Sequence, residues 1–67
     1  PPGEKPSDRE REILRLVASG HTSCEIGKRL GIIDQTVNTH IKNIYRKLHV
    51  RTRAQAVNLA SLRGWLY

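Results

Sequence analysis

Apolar residues recur along this chain at intervals of three and four positions, which is the period of an α-helix. The clearest stripe has the spacing i, i+4, i+7, i+11 and consists of Val37, Ile41, Ile44 and Leu48. At roughly 100° per residue these positions share one side of a helix, which must face other helices. The same period predicts four helices, over Asp8–Ser19, Ser23–Leu30, Asp34–Leu48 and Arg53–Leu62. No strand-length alternation is present, so the predicted fold is an all-α four-helix bundle.

The predicted helix ends are marked by residues that can satisfy free backbone groups. The capping-box pattern Ser/Thr-x-x-Glu/Gln occurs at three starts: Ser7 with Glu10, Thr22 with Glu25, and Thr52 with Gln55. Gly20 is expected to end the first helix in a left-handed conformation, and Gly31 ends the second. About three residues, 31–33, then separate the second helix from the third, which is typical of a helix-turn-helix. An ordinary corner in a small bundle has the same spacing.

Charge is divided unequally between the two halves of the chain. All acidic residues lie before Gln35, where an equal number of bases balances them, so the net charge of +6 belongs to the second half. A one-sided positive field attracts a polyanion, because neutralising its phosphates releases condensed counterions. The charge pattern therefore favours a nucleic-acid partner.

The third helix has a polar, acid-free face opposite its apolar stripe. This face comprises Gln35, Asn38, Thr39, Lys42 and Arg46, with Asn43 at its margin. An asparagine can pair with adenine, a lysine can donate to guanine and a threonine methyl can pack on thymine, so Asn38, Thr39 and Lys42 are the candidate base-reading residues. The cations placed to meet phosphates are Arg46, Lys47, Arg51 and Arg53. Lys47 could instead pair with Glu10, and the whole face could be an ordinary solvated surface.

Other chemistry is poorly represented. Cys24 is the single cysteine and shares no metal-ligand spacing with the three histidines, so neither an internal disulfide nor a metal site is predicted. The chain has no nucleophile–base pair or phosphate loop, which argues against an enzyme, a cofactor or a small-molecule ligand. It has no apolar run of ~20 residues, so we expect a cytoplasmic protein without a membrane partner. Residues 1–6 predict a linker from an upstream domain, and residues 7–67 the domain itself.

Four segments carry recognisable motifs: Pro6–Leu14, Gly20–Leu30, Thr36–Leu48 and Arg53–Val57. These segments resemble, in chain order, four motifs of the LuxR/FixJ/GerE-type helix-turn-helix domain. The family motifs are Leu-Thr/Ser-x-Arg-Glu-x-Glu-Val-Leu, Gly-x-Ser-Asn-Lys-Glu-Ile-Ala-x-x-Leu, Thr-Val-x-x-His-x-x-x-Ile-x-x-Lys-Leu and Arg-x-x-Ala-Val. The resemblance covers most of the chain at full spacing.

The resemblance implies the C-terminal DNA-binding domain of a bacterial transcriptional regulator, with the third helix as recognition helix in the major groove of double-stranded DNA. Asn38, Thr39 and Lys42 would read bases. Implied phosphate contacts are Thr22, Ser23, Thr36, His40, Asn43 and Lys47. The fourth helix would form a homodimer on a palindromic site, with Val57, Ala60 and Ser61 as its candidate residues.

Several positions depart from the family pattern. Ser23 and Cys24 replace the frequent Asn-Lys pair, which removes one cation directed at phosphate. Ile33 stands where a capping serine is usual, so Asp34 is expected to take over the cap and shift the helix start by one residue. Gly27 replaces an alanine and should weaken the second helix by up to ~1 kcal/mol. His49 stands where glycine is frequent, so the turn after the third helix is expected to differ.

Two other functions remain open on sequence grounds. A protein-interaction module could use the fourth helix and carry its positive charge incidentally. Such a module would show no salt-dependent affinity for DNA. A sigma-factor region-four-like domain also contains a capped helix-turn-helix, although its pattern is more distant.

Overall fold

The fold consists of four helices: α1 (Asp8–Ala18), α2 (Ser23–Leu30), α3 (Asp34–Leu48) and α4 (Arg53–Leu62). The structure is a computed structural model in which residues 5–66 are described, and no strand occurs among them. The all-α class and the predicted bounds of α2, α3 and α4 are confirmed. The first helix ends one residue earlier than predicted: Ser19 occupies the C-cap, and Gly20 leaves the helix in the left-handed conformation (φ 89°), as expected, with its N–H bonded to the Val17 carbonyl oxygen at 3.0 Å. Most of the predicted linker, residues 1–4, lies outside the described residues, and Pro6 is buried.

Three helices begin with a complete capping box, as the sequence predicts. The Ser7 hydroxyl accepts the Glu10 N–H at 3.2 Å, and the Ser7 N–H donates to the Glu10 carboxylate at 2.8 Å. The same reciprocal bonds join Thr22 to Glu25 and Thr52 to Gln55. Hydrogen bonds from the backbone and hydroxyl of Thr22 lower the pKa of Glu25, so this carboxylate stays ionised in its cap.

The start of α3 has no side-chain cap. Ile33 occupies the N-cap position with an extended backbone (φ −76°, ψ 153°), and its carbonyl oxygen accepts the N–H groups of Thr36 and Val37. Asp34 is therefore the first helical residue, and the prediction that it caps the helix is wrong. The backbone at residue 33 already has the cap conformation, so the helix start is not shifted. Asp34 instead places its negative charge at the positive end of the helix dipole.

We expect Ile33→Ser to stabilise the domain by about 1 kcal/mol, because a hydroxyl at an extended N-cap accepts one of the free N–H groups of the first turn. The Ile33 side chain is 65% exposed, so little packing is lost. Thermal unfolding followed by circular dichroism should show a midpoint about 5 °C higher. Ile33→Ala is the matched control, and an equal rise for alanine would contradict the capping explanation.

One apolar core lies between the helices and supports α3. Its buried residues come from all four helices and from the segment after α4: Ile13, Leu14, Val17, Ile26, Val37, Ile44, Leu48, Ala56, Ala60 and Trp65. Helix α2 packs on α3, and α1 packs on both α3 and α4. The predicted stripe of α3 faces this core, although Ile41 at its edge is only half-buried. The opposite face of α3 therefore points to solvent.

Two backbone features shape the turns on either side of α3. Gly27 lies against the turn before it, where a Cβ atom would come within 2.5 Å of the Ile32 carbonyl oxygen. Glycine thus permits a close approach of the turn to α2, which offsets the helix propensity that it lacks. His49 ends α3 in the left-handed conformation (φ 58°), which glycine usually supplies at this position of a helix. The expected difference in that turn is therefore not observed.

Candidate nucleic-acid interface

The solvent side of α3 carries the predicted base-reading residues. We call this surface the reading face; it comprises Gln35, Asn38, Thr39, Lys42 and Arg46, all of them exposed. The opposite side of α3 holds Val37 and Ile44, which are 0% and 1% exposed and pack in the core. Amide, hydroxyl, ammonium and guanidinium groups therefore project into solvent from the other side of α3. No carboxylate lies among them, and Asn43 is exposed at the margin.

The start of α2 lies beside the reading face. The hydroxyl of Ser23 donates a hydrogen bond to the side-chain carbonyl oxygen of Asn38, 15 residues away in the sequence. Thr22 precedes it, and the Thr22 hydroxyl accepts the Glu25 N–H at 3.2 Å. A hydroxyl that accepts still has its own proton to donate, so Thr22 retains a donor for a phosphate. The fold thus brings two predicted phosphate-contact residues next to the predicted base-reading residues.

The hydroxyl of Thr39 is engaged within α3. It donates to the backbone carbonyl oxygen of Gln35 at 3.1 Å. Such a bond to the residue one turn earlier uses the hydroxyl proton within the helix. The methyl group then remains for contact with a partner, which suits the predicted packing against a thymine methyl.

Arg53 links the start of α4 to the loop before α2. Its Nη2 donates to the carbonyl oxygen of His21 at 3.0 Å. The ring of His21 is held in turn, because its Nδ1 donates to the Leu16 carbonyl oxygen at 3.1 Å. His21 immediately precedes Thr22, so these bonds place a guanidinium group next to the start of α2. Arg51, also exposed, lies two residues earlier in the chain.

Lys47 forms an ion pair instead of standing free at the surface. Its Nζ lies 2.8 Å from the Glu10 carboxylate, and the two side chains are 27% and 12% exposed. The sequence left both roles open for Lys47, and the structure contains the pair with α1. Because Glu10 also completes the Ser7 capping box, this contact ties the start of α1 to the end of α3. Lys47 therefore has a structural role in the fold, and its phosphate contact stays a prediction.

The Glu10–Lys47 pair should make stability depend on pH. Burial raises the pKa of Glu10, but hydrogen bonds from Lys47 and Ser7 together with the Lys47 charge outweigh it, and the net pKa lies below the usual 4.5. A folded pKa below the unfolded one means that the stabilisation is present above the unfolded pKa and is lost as pH falls through the folded pKa. We expect Glu10→Gln to cost about 1 kcal/mol at neutral pH and almost nothing in strong acid.

Urea unfolding at neutral and acidic pH measures this difference. Glu12→Gln removes an exposed carboxylate from the same helix and is the matched control. Glutamine preserves the capping box in Glu10→Gln, so the variant isolates the charge. A cost that stays constant from neutral pH to strong acid would contradict the ion-pair explanation.

The remaining predicted phosphate contacts differ in exposure. Thr36 and His40 are half-buried at the edge of α3, whereas Asn43, Arg46 and Arg51 are exposed. The half-buried side chains can offer only part of their polar surface to a ligand. The exposed phosphate-contact candidates lie on α3 and on the segment that follows it.

The predicted dimer residues of α4 do not share one surface. Ala60 is 0% exposed and packs in the core of its own domain, so its assignment to the interface is wrong. Ala56, one turn earlier, is buried as well, and the two alanines define the inward side of α4. Ser61 is exposed and Val57 is half-buried. Leu62 is 76% exposed and lies on the outward side one turn after Asn58, although the sequence prediction did not include it.

Other kinds of site find little support in the described part of the chain. Among residues 5–66, no group of three His, Cys, Asp or Glu side chains could hold a metal ion. Within the same range, every helix is too short or too polar to cross a bilayer. Cys24 is exposed on α2 with a free thiol.

Comparison with known proteins identifies the family. A sequence model described as "Bacterial regulatory proteins, luxR family" matches residues 6–60. The transcriptional regulatory protein LiaR of Bacillus subtilis is 53% identical over 55 residues, which cover 82% of this chain and 26% of LiaR. The transcriptional activator protein PhzR of Pseudomonas fluorescens is 45% identical over 60 residues, which cover 90% of this chain and 25% of PhzR. The chain thus spans about a quarter of the length of these relatives.

A solved structure supports the same assignment. The crystal structure of the response regulator ChrA from a heme-sensing two-component system matches with a TM-score of 0.86 and 34% sequence identity, over 97% of this chain and 32% of that one. These relatives are named as transcriptional or response regulators, so the prediction of a non-enzymatic domain is confirmed. The matched residues 6–60 include α1, α2, α3 and the whole reading face. The chain therefore belongs to the luxR family of bacterial regulatory proteins, as a helix-turn-helix DNA-binding domain.

Proposed function

We propose that this domain binds specific sequences of double-stranded DNA and thereby serves a bacterial transcriptional regulator, with α3 in the major groove. The observation that carries the proposal is the reading face, which is exposed, free of acid and held rigidly by the buried stripe behind it. An α-helix fits the major groove, where each base pair presents a distinct pattern of donors and acceptors. Bacterial DNA lies in the cytoplasm, so the proposal places the domain there.

Three residues of the reading face contact bases in this proposal. Lys42 donates to the O6 and N7 acceptors of guanine. Thr39 packs its methyl group on a thymine methyl, because its hydroxyl is bonded within α3. Asn38 contacts a base through its side-chain amide. Phosphates are held around them by Thr22, Thr36, His40, Asn43, Arg46, Arg51 and Arg53. Ser23 and Lys47 are left out of this set, because they donate to Asn38 and to Glu10.

The outward side of α4 forms the contact between two copies in this proposal. Val57 and Ser61 remain from the sequence prediction, and their neighbours on that side are Ala54, Asn58 and Leu62. None of these side chains is charged, and Leu62 offers the largest exposed apolar group. A two-fold pair would present two α3 helices to the two halves of a palindromic site.

A DNA titration at two salt concentrations tests the proposal. A duplex enriched from a random pool by this chain is compared with an unrelated duplex of equal length, at about 50 mM and about 200 mM salt. A pair of domains that makes six or more phosphate contacts should lose about 10³-fold in affinity over this range. The enriched duplex should bind more tightly than the unrelated one at both salt concentrations, with two chains per duplex.

The alternatives give different outcomes in the same titration. An affinity for DNA that does not change with salt would favour a protein-interaction module with incidental positive charge. One chain per duplex would remove the dimer and leave DNA recognition intact. The family match already favours a regulator over a sigma-factor region-four domain.

A further inference from the structure

We infer that Ser23 is a positioning residue that restricts which base Asn38 reads. By holding the Asn38 amide oxygen against α2, it leaves the amide nitrogen as the group offered to DNA. Asn38 should then select a base edge that accepts hydrogen bonds, as adenine, guanine and thymine do, and discriminate against cytosine, whose major-groove edge only donates. This inference rests on the proposed function, since it specifies the base that one residue of the reading face recognises.

The contact joins two helices across the helix-turn-helix. The Ser23 hydroxyl in the first turn of α2 donates to Oδ1 of Asn38 in α3. Ser23 is half-buried, whereas Asn38 is exposed to solvent. The cap of α2 does not require Ser23, because Thr22 supplies the hydroxyl that accepts the Glu25 N–H. The Ser23 hydroxyl is therefore available to orient Asn38.

The direction of the hydrogen bond decides what the amide can recognise. A hydroxyl that donates must meet the amide oxygen, so Oδ1 is turned toward α2 and Nδ2 points away from Ser23. Adenine and guanine offer the acceptor N7, guanine also offers O6, and thymine offers O4, so an Nδ2 donor suits any of these three bases. Cytosine offers only its N4 donor, which needs Oδ1 as the acceptor. The tertiary contact therefore disfavours cytosine, and it removes the two-bond preference for adenine expected from the residue type.

Selection from a random duplex pool, followed by sequencing of the bound DNA, tests the inference. The wild-type chain is compared with Asn38→Ala, which identifies the base position that Asn38 reads. At that position we expect wild type to disfavour cytosine on the order of tenfold relative to the best base. Ser23→Ala should bring cytosine to near equality with the best base, because the freed amide can turn its oxygen toward the groove and accept from N4. Ser23→Thr retains the hydroxyl and should restore the wild-type preference.

The controls separate positioning from a general structural effect. Cys24→Ala alters the exposed neighbour of Ser23 and should leave the base profile unchanged. Ser23→Ala should match wild type in its affinity for unrelated DNA and in its salt dependence, and all other base positions should keep their preferences. A thermal melt of each variant checks that the domain remains folded.

Several results would overturn the inference. One is a wild-type preference for cytosine at the position that Asn38 reads, and another is an unchanged base profile in Ser23→Ala. If Ser23→Ala instead weakens every sequence equally, Ser23 contacts a phosphate, as the family resemblance implies. If Asn38→Ala leaves every base preference intact, Asn38 reads no base. Failure of the wild-type chain to enrich any sequence would overturn the proposed function, and this inference with it.

Discussion

Replacement of Ile26 by alanine should lower the free energy of unfolding by roughly 3 kcal/mol. Ile26 is 0% exposed and is one of the largest fully buried side chains of the core. The substitution removes buried methyl and methylene groups and leaves a cavity that the close-packed neighbours fill only in part. A domain of 67 residues has a total stability of about 3–10 kcal/mol, so this loss is a large share of the whole. Urea unfolding followed by circular dichroism measures it.

Ile33→Ala provides the matched comparison for Ile26→Ala. It makes the same chemical change at an isoleucine that is 65% exposed, so we expect a change within about 0.5 kcal/mol. The two positions lie seven residues apart, on α2 and at the turn that follows it. Similar costs for both substitutions would contradict the packing of α2 described above.

Lys42→Ala should weaken binding to the enriched duplex by about 10- to 100-fold, because each good contact to a guanine edge discriminates by about 1–3 kcal/mol. Lys42 is exposed at the centre of the reading face, and its neighbours there are Asn38 and Arg46 one turn away. Binding to the unrelated duplex should fall only a few-fold, since the variant loses one positive charge. Both affinities come from the same titration at fixed salt.

Two control variants assign the Lys42 effect to base recognition. Arg51→Ala should weaken both duplexes about equally and reduce the salt slope by about one, which is the behaviour of a phosphate contact. Lys28→Ala removes the same charge as Lys42→Ala from an exposed site on α2 outside the reading face, and should change neither affinity strongly. Equal losses on both duplexes for Lys42→Ala would show that Lys42 contacts phosphate and would remove it from the base-reading residues.

Helix positions were predictable because they depend on residues close together in the chain. The bounds of α2, α3 and α4 and all three capping boxes follow from apolar period, cap residues and glycines within a few positions. The prediction that Asp34 caps α3 was wrong, although it too depended only on neighbouring residues. The N-cap is the residue whose backbone is no longer helical. In α3 that residue is Ile33, although isoleucine has no hydroxyl or carboxylate.

The fourth helix shows where periodicity stops being informative. Apolar and small residues occur on nearly every side of α4, so the pattern alone did not reveal which side is buried. Packing against α1 decides it, and turns Ala56 and Ala60 inward. Ala60 is therefore excluded from the predicted dimer surface, and Leu62 is exposed.

The chemistry of the reading face was present in the sequence, because an acid-free polar side opposite an apolar stripe needs only the helical period to be recognised. The sequence did not reveal which side chains on different helices contact each other. Ser23 meets Asn38 across 15 positions, and Lys47 meets Glu10 across 37, so each contact exists only where two helices cross. A hydrogen bond or ion pair requires its atoms within a few ångströms, and only packing of the core brings distant segments that close. The amino-acid order thus set which groups the domain presents, and the crossing of α1, α2 and α3 set which of them remain available to DNA.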